Sequence, residues 1–260
     1  MKEKLKFLFT LGIFSLVVIA AIFFSSIRKP KKEIKPFPPK VIAGKIAIVL
    51  DDWGYSLNNM SIIGQIKLPL TIAVLPDLNY SRAIAEKLHR SGFEIILHLP
   101  MEPKEKAALE KNTIKTSMDE EQIAGIIDKD LSSLSYVRGV SNHMGSMATS
   151  DAGTMEAVFR VLKKRKLYFL DSYVTAHSRC REAASKYGLR FAKRDVFLDN
   201  NNDPKYIRKQ LYILRDKARI NGYAIGIGHD RKNTLQVLRD VMPELEREGY
   251  KFVFVSELAQ

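Results

Sequence analysis

From Lys45 onward, short apolar runs alternate with segments of helical periodicity, and this alternation constrains the fold more than any other feature. The runs are "KIAIVL", "LTIAVL", "FEIILHL", "VRGVSNHM", "LYFLDS", "LRFAKRDVFL", "YAIGIG" and "YKFVFVS". Helical patterns fall between most of them, over residues 80–91, 119–132, 152–165, 204–220 and 234–248. Such repetition implies parallel strands joined by helical crossovers, hence a barrel or a doubly wound sheet. No G-x-G-x-x-G follows the first run, and no G-x-x-x-x-G-K-[ST] occurs, so nucleotide-binding versions lose ground. Ser117-x-x-Glu120 matches a capping box, and Asp203-Pro204 reads as an N-cap followed by a proline in the first helical turn.

The polar residues gather at the ends of the runs. Asp51 and Asp52 end the first, His98 the third, Asn142 and His143 the fourth, Asp171 the fifth, Asp199 the sixth and His229 the seventh. In a parallel α/β fold these carboxyl ends converge on one rim, where ligands and catalytic groups meet. Each residue alone also fits a turn or helix cap. His89, inside a helical segment, and His177, near a helix start, are read as structural. One Asp and two His form a recurring set for a divalent metal, zinc or another first-row ion. A second carboxylate beside the ligand then suits a general base, and a remaining His suits a general acid.

Composition bears mainly on the ends of the chain. Of the formal charge of +13, residues 1–44 carry +7, with nine Lys or Arg against Glu3 and Glu33. The remainder shows no Lys/Arg block and no aromatic-basic stripe, so no nucleic-acid partner is expected. Residues 7–24, "FLFTLGIFSLVVIAAIFF", hold no charge and as a helix would run about 27 Å, near the thickness of a bilayer core. The sequence after them is a poor cleavage site, which favours an uncleaved anchor. The domains expected are an anchor with its short tip over 1–27, a basic Pro-rich linker over 28–44 and the body over 45–260. Counting positive charges would hold the body inside the cell. A single cysteine, Cys180, excludes an intramolecular disulfide and any Cys-rich zinc site.

Taken in order, "IVLDDWG", "ILHLPMEP", "GVSNHMGSMAT", "FLDS", "RDVFLDN" and "GIGHDR" resemble the divergent polysaccharide deacetylase family, a distant branch of the nodulation-type carbohydrate deacetylases. The resemblance spans about residues 45–258. It implies a distorted (β/α) barrel of about seven strands with a metal, most simply zinc, at its mouth. It implies Asp51 as base, Asp52 as metal ligand and His229 as the group that protonates the leaving amine. The segment "HLPMEP" supplies His98 alone, so His143 of the next strand becomes the other histidine ligand. Arg194 and Asp199 resemble charged partners of the catalytic groups, with Asn142, Ser146 and Asp171 beside the substrate or behind the ligands. The implied reaction is removal of N-acetyl groups from an acetylated polysaccharide or peptidoglycan-type glycan. Such glycans lie outside the cytoplasmic membrane, so the body is expected to face the envelope, against the charge count.

Two other functions fit parts of the pattern. A non-catalytic glycan-binding protein could keep the fold. Phosphoryl transfer with an acidic pair and magnesium fits less well, because its D-x-D motif separates carboxylates that are adjacent here.

Overall fold

A computed structural model describes residues 2–27 and 42–260 of the chain. The chain divides into two units, at residues 1–40 and 41–260. In the first, helix α1 spans Lys2–Ile27. Among the described residues no helix is long and apolar enough to cross a membrane. Many side chains of the apolar stretch 7–24, and most of the linker expected over 28–44, lie outside the described residues.

The second unit runs β1 (Gly44–Trp53), α2 (Met60–Ile63), β2 (Thr71–Val74), α3 (Ser81–Arg90), β3 (Glu94–Met101), α4 (Glu120–Ser133), β4 (Val137–Met144), α5 (Ala152–Lys164) and β5 (Tyr168–Asp171). It continues with α6 (Cys180–Tyr187), β6 (Phe191–Lys193), β7 (Val196–Phe197), α7 (Pro204–Asn221), β8 (Tyr223–His229), α8 (Lys232–Arg247) and β9 (Tyr250–Phe252). The strands form one parallel sheet in the order β6-β5-β4-β3-β2-β1-β8-β7, with β9 beside the start of β1.

The two ends of this order are consecutive in the chain, separated only by Arg194 and Asp195. Arg194 N–H donates to the carbonyl of Asp171 at one edge, and Asp195 N–H to that of Ile225 at the other. The three steps from Lys193 to Val196 span at most about 10 Å, so the sheet must curl until its edges meet. Taking β6 and β7 as halves of one interrupted strand leaves seven positions round the curl. The expected barrel is therefore an incomplete one: the chain, not a hydrogen-bonded ladder, bridges its seam.

The apolar runs are nearly continuous because both faces of the strands are buried. Ile46, Ile48 and Leu50 of β1 pack outward with residues such as Leu211, Leu214 and Leu238 of the helices. Ala47 and Val49 point the other way and meet Ala73, Ile96, Leu170, Ile225 and Ile227 inside the curl. The last residues close the far end: Val253, Val255, Leu258 and Ala259 join the interior cluster. Buried Glu94 accepts hydrogen bonds there from Thr71, Tyr168 and the amide of Ser256.

Two helix starts illustrate the local chemistry. Asp203 caps α7 through the amides of Lys205 and Tyr206, with Pro204 in the first turn, as the sequence suggests. The start of α4 differs: its capping box is Asp119 with Gln122, not Ser117 with Glu120. Both quartets carry suitable side chains, and the helix begins two residues further on.

Candidate metal centre

A regular strand would send Asp51 and Asp52 to opposite faces of the sheet. Here Leu50 pairs with Ile72 and Trp53 with Val74, so both carboxylates stand opposite the single residue Ala73. This is a β-bulge, and Asp52 takes a left-handed backbone in it, with φ 65°. The bulge turns the adjacent carboxylates to one site. His98 Nε2 lies 3.7 Å from Asp51 Oδ2 and 3.3 Å from Asp52 Oδ1.

Strand register brings in the second histidine. His98 on β3 stands beside Ser141 on β4, and His143 follows two residues later on the same face. Met144 and then Gly145 turn left-handed, with φ 53° and 88°, and end the strand directly behind His143. His143 Nδ1 lies 3.1 Å from Asp52 Oδ1 and 3.2 Å from His98 Nε2.

These three atoms form a near-equilateral triangle, and the residues are the only such donor group among the described residues. Atoms with these spacings lie about 1.9 Å from their common centre, close to the roughly 2.0–2.2 Å at which zinc takes nitrogen and oxygen donors. The donor set is chemically suited: one carboxylate and two imidazoles, each ring offering a nitrogen. Asp52 Oδ1 is buried between two ring nitrogens and completes a well-aligned hydrogen bond with neither, as expected of an atom built for a cation. The residues fit the metal.

The surroundings set the charge states. Burial would raise Asp52, but His143 and His98 outweigh it and hold the carboxyl far below the usual range. Burial pushes His98 down to about 4, leaving it a neutral ligand, while Ser141 Oγ holds its Nδ1 at 2.8 Å. Asp51 behaves in the opposite way. Burial, with the charges of Asp52 and Asp199, lifts its carboxyl well above the usual range, only partly offset by Arg194. Its Oδ1 has no hydrogen-bond partner.

His229 ends β8 directly beside Asp51 in register. Its Nδ1 lies 2.7 Å from Asp199 Oδ1, while Asp199 Oδ2 accepts from the His229 amide and the Thr234 hydroxyl. Arg194 donates to the carbonyls of Ser172 and Tyr173 and lies 3.6 Å over the Phe197 ring.

The other expected site residues build the frame. Asn142 donates to Met144 O and accepts from the Ser172 amide, joining β4 to β5. Asp171 accepts from the Tyr173 amide and the Ser178 hydroxyl. Ser146 joins two rim loops through the Lys104 amide and Glu105. His89 stacks on Tyr136, and His177 is exposed in the loop before α6.

Ser141, Thr234, Glu110 and Tyr55 were not singled out by sequence. Ser141 becomes visible only through strand register, and Thr234, in the first turn of α8, only through its bond to Asp199. Glu110 and Tyr55 lie in non-periodic segments that carry no signal.

Comparison with known proteins gives the family and the fold. The chain matches the model of the divergent polysaccharide deacetylases over residues 48–259. It is 40% identical over 205 residues to the uncharacterized protein YibQ of Escherichia coli K12, a match covering 79% of this chain and 64% of that protein's length. A crystal structure of an uncharacterized protein, ATU2773, from Agrobacterium tumefaciens C58 superposes with a TM-score of 0.78 at 24% identity, covering 83% of this chain and 89% of that one. The Bc1960 peptidoglycan N-acetylglucosamine deacetylase shares the fold with a TM-score of 0.51 at 14% identity, covering 85% and 90%.

Proposed function

The chain belongs to the divergent polysaccharide deacetylase family, and from that premise we propose that it is a metal-dependent hydrolase removing N-acetyl groups from an amino-sugar polysaccharide of the cell envelope. The observation that carries the reading is the Asp52–His98–His143 triangle with Asp51 beside it, one of whose carboxylate oxygens has no hydrogen-bond partner. The named activity of the Bc1960 protein supports an acetylated glycan of the peptidoglycan type as substrate.

Asp52, His98 and His143 would hold the cation, and zinc suits their chemistry. When bound, it supplies a Lewis acid that polarises the amide carbonyl and acidifies a nearby water. Asp51 is the base. Its carboxyl, buried beside the triangle with Oδ2 3.7 Å from His98 Nε2, is placed to draw a proton from the attacking water. The Asp51 carboxyl also keeps an oxygen free of other partners for this work. His229 delivers a proton to the departing nitrogen. Asp199 engages its Nδ1 and orients the ring, leaving Nε2 for the transfer. Arg194, fixed by two carbonyls, limits how far the Asp51 carboxyl rises.

The apolar stretch 7–24 is proposed to anchor the chain in the cytoplasmic membrane, with the body facing the periplasm or cell exterior. Protease treatment of intact spheroplasts tests this, and a protected body would overturn it.

The test of activity is amine release from acetylated chito-oligosaccharides and peptidoglycan fragments by the zinc-loaded protein. Release is expected to stop with chelator. It should fall at least about 100-fold in Asp51→Asn while zinc stays bound. Equal rates in both proteins would remove Asp51 as base. Glycan binding without release by the wild type would favour the non-catalytic reading.

A further inference from the structure

His143 has two ring nitrogens on opposite sides, and the triangle accounts for only one. Nδ1 faces Asp52 and His98, whereas Nε2 points to Glu110, whose Oε2 is 3.5 Å away. Nε2 is buried and has no hydrogen-bond partner. We propose that Glu110 is a positioning residue: it takes the Nε2 proton of His143 in a hydrogen bond and so keeps Nδ1 open to the cation. The proposal rests on the metal reading above.

Several features equip Glu110 for this. Its other oxygen, Oε1, accepts from the Tyr55 hydroxyl at 2.6 Å, which leaves Oε2 for the ring. Its main chain is pinned, since Thr113 donates to the Glu110 carbonyl through both its hydroxyl and its amide, at 2.7 and 3.2 Å. The Asn112 amide ties the same loop to Asp77 and Asp130, each at 2.8 Å. Ile114 exchanges hydrogen bonds with Pro100 and Glu102 at the end of β3. The carboxylate is therefore presented on a fixed backbone.

The present spacing is about 0.5 Å beyond a good hydrogen bond, within reach of a small ring rotation. A histidine ligand whose far N–H is held by a carboxylate is locked in one tautomer and becomes a stronger donor to the metal. Glu110 is not itself a ligand. It stands at the outer edge of the imidazole, with the ring between it and the triangle.

The experiment uses the full chain and measures zinc affinity by competition with a chromophoric chelator, alongside the visible spectrum of the cobalt(II) form. Glu110→Ala is expected to weaken zinc binding about 10- to 100-fold without moving the cobalt bands, because the three ligands remain. Glu110→Gln keeps an oxygen acceptor and is expected to recover part of that loss. Tyr55→Phe, a change at an exposed side chain that leaves folding intact, is expected to cost about 2- to 5-fold. Zinc affinity within about twofold of wild type in both Glu110→Ala and Tyr55→Phe would overturn the proposal. Cobalt bands that shift with the coordination number in Glu110→Ala would also overturn it, by making Glu110 a ligand. A wild type that binds neither ion overturns the metal reading together with this one. Intact wild-type binding with unchanged affinity in the variants overturns only the Glu110 assignment and leaves the metal reading standing.

Discussion

Asp199 serves three donors with one carboxylate: the ring and the amide of His229, and the hydroxyl of Thr234. Burial alone would raise its carboxyl, but these bonds hold it below the usual range, so it remains an acceptor. Asp199→Asn keeps the shape and can turn an N–H toward Nδ1, which reverses the ring's donor and acceptor roles. A fall in kcat of about 10²- to 10⁴-fold is expected, with zinc affinity unchanged. A kcat within a few-fold of wild type would remove Asp199 from the catalytic path. Asp130 offers a second test at this scale. Its side chain is buried, one oxygen bonded to Asn112 and the other without a partner. Burial raises its pKa from 3.8 to about 7, against the pull of Asn112. The folded state thus holds the proton more tightly than the unfolded chain does. The stability this contributes is full below about pH 4 and is lost as pH rises through about 7. Asp130→Asn puts a donor where the partnerless oxygen stands. Denaturant melts should therefore find it more stable than wild type by about 1–3 kcal/mol at pH 8, with the gain vanishing at pH 4. A constant difference across that range would refute the assignment.

The strand that carries a functional residue decides how much of its role could be read in advance. Short apolar runs ending in Asp or His are visible in the sequence, so Asp51, Asp52, His98, His143 and His229 can all be placed on one rim. The bulge in β1 was not visible, because it depends on how β1 pairs with β2 rather than on the run itself. The resemblance puts Asp51 and Asp52 at one site, and the bulge is what lets two adjacent strand residues share it. The seam at Arg194–Asp195 is also a property of the closed sheet; "LRFAKRDVFL" reads as one strand and folds as two. The end of β4 carries the prediction for this scale. Gly145 has φ 88°, and a Cβ there would stand 2.9 Å from that of Met101. Gly145→Ala must strain the turn or push β3 and β4 apart, and these strands bring His98 and His143 together. A loss of about 1–3 kcal/mol in stability is expected, accompanied by weaker zinc binding in the same titration. Equal stability would show that the left-handed turn is not required. The α7 cap makes the contrast: Asp203→Ala should cost about 1 kcal/mol and leave zinc affinity alone, since it supports only its own helix.

Across the whole molecule, stability and chemistry sit at opposite ends of the same strands. The carboxyl ends hold acids and histidines close together, an arrangement that folding alone does not favour; Asp51 is buried beside the like charge of Asp52. The other end holds the C-terminal segment, which plugs the curl with Val253, Val255, Leu258 and Ala259. Val255 also donates its amide to Thr71 Oγ1 at 3.1 Å, and Gln260 and Phe191 exchange hydrogen bonds. An open seam makes this plug more consequential than it would be in a closed barrel, because no ladder joins β6 to β7. Val255 and Leu258 are buried, and truncating both to Ala removes apolar contacts and leaves a cavity. The double variant is expected to lose about 3–6 kcal/mol in urea melts. Sites this far apart, sharing no partner, contribute nearly independently. At a temperature where the variant stays folded, zinc affinity should therefore remain within about threefold of wild type. If zinc affinity instead fell in step with stability, the curl would be transmitting strain from plug to mouth, and the two ends would have to be treated as one cooperative site.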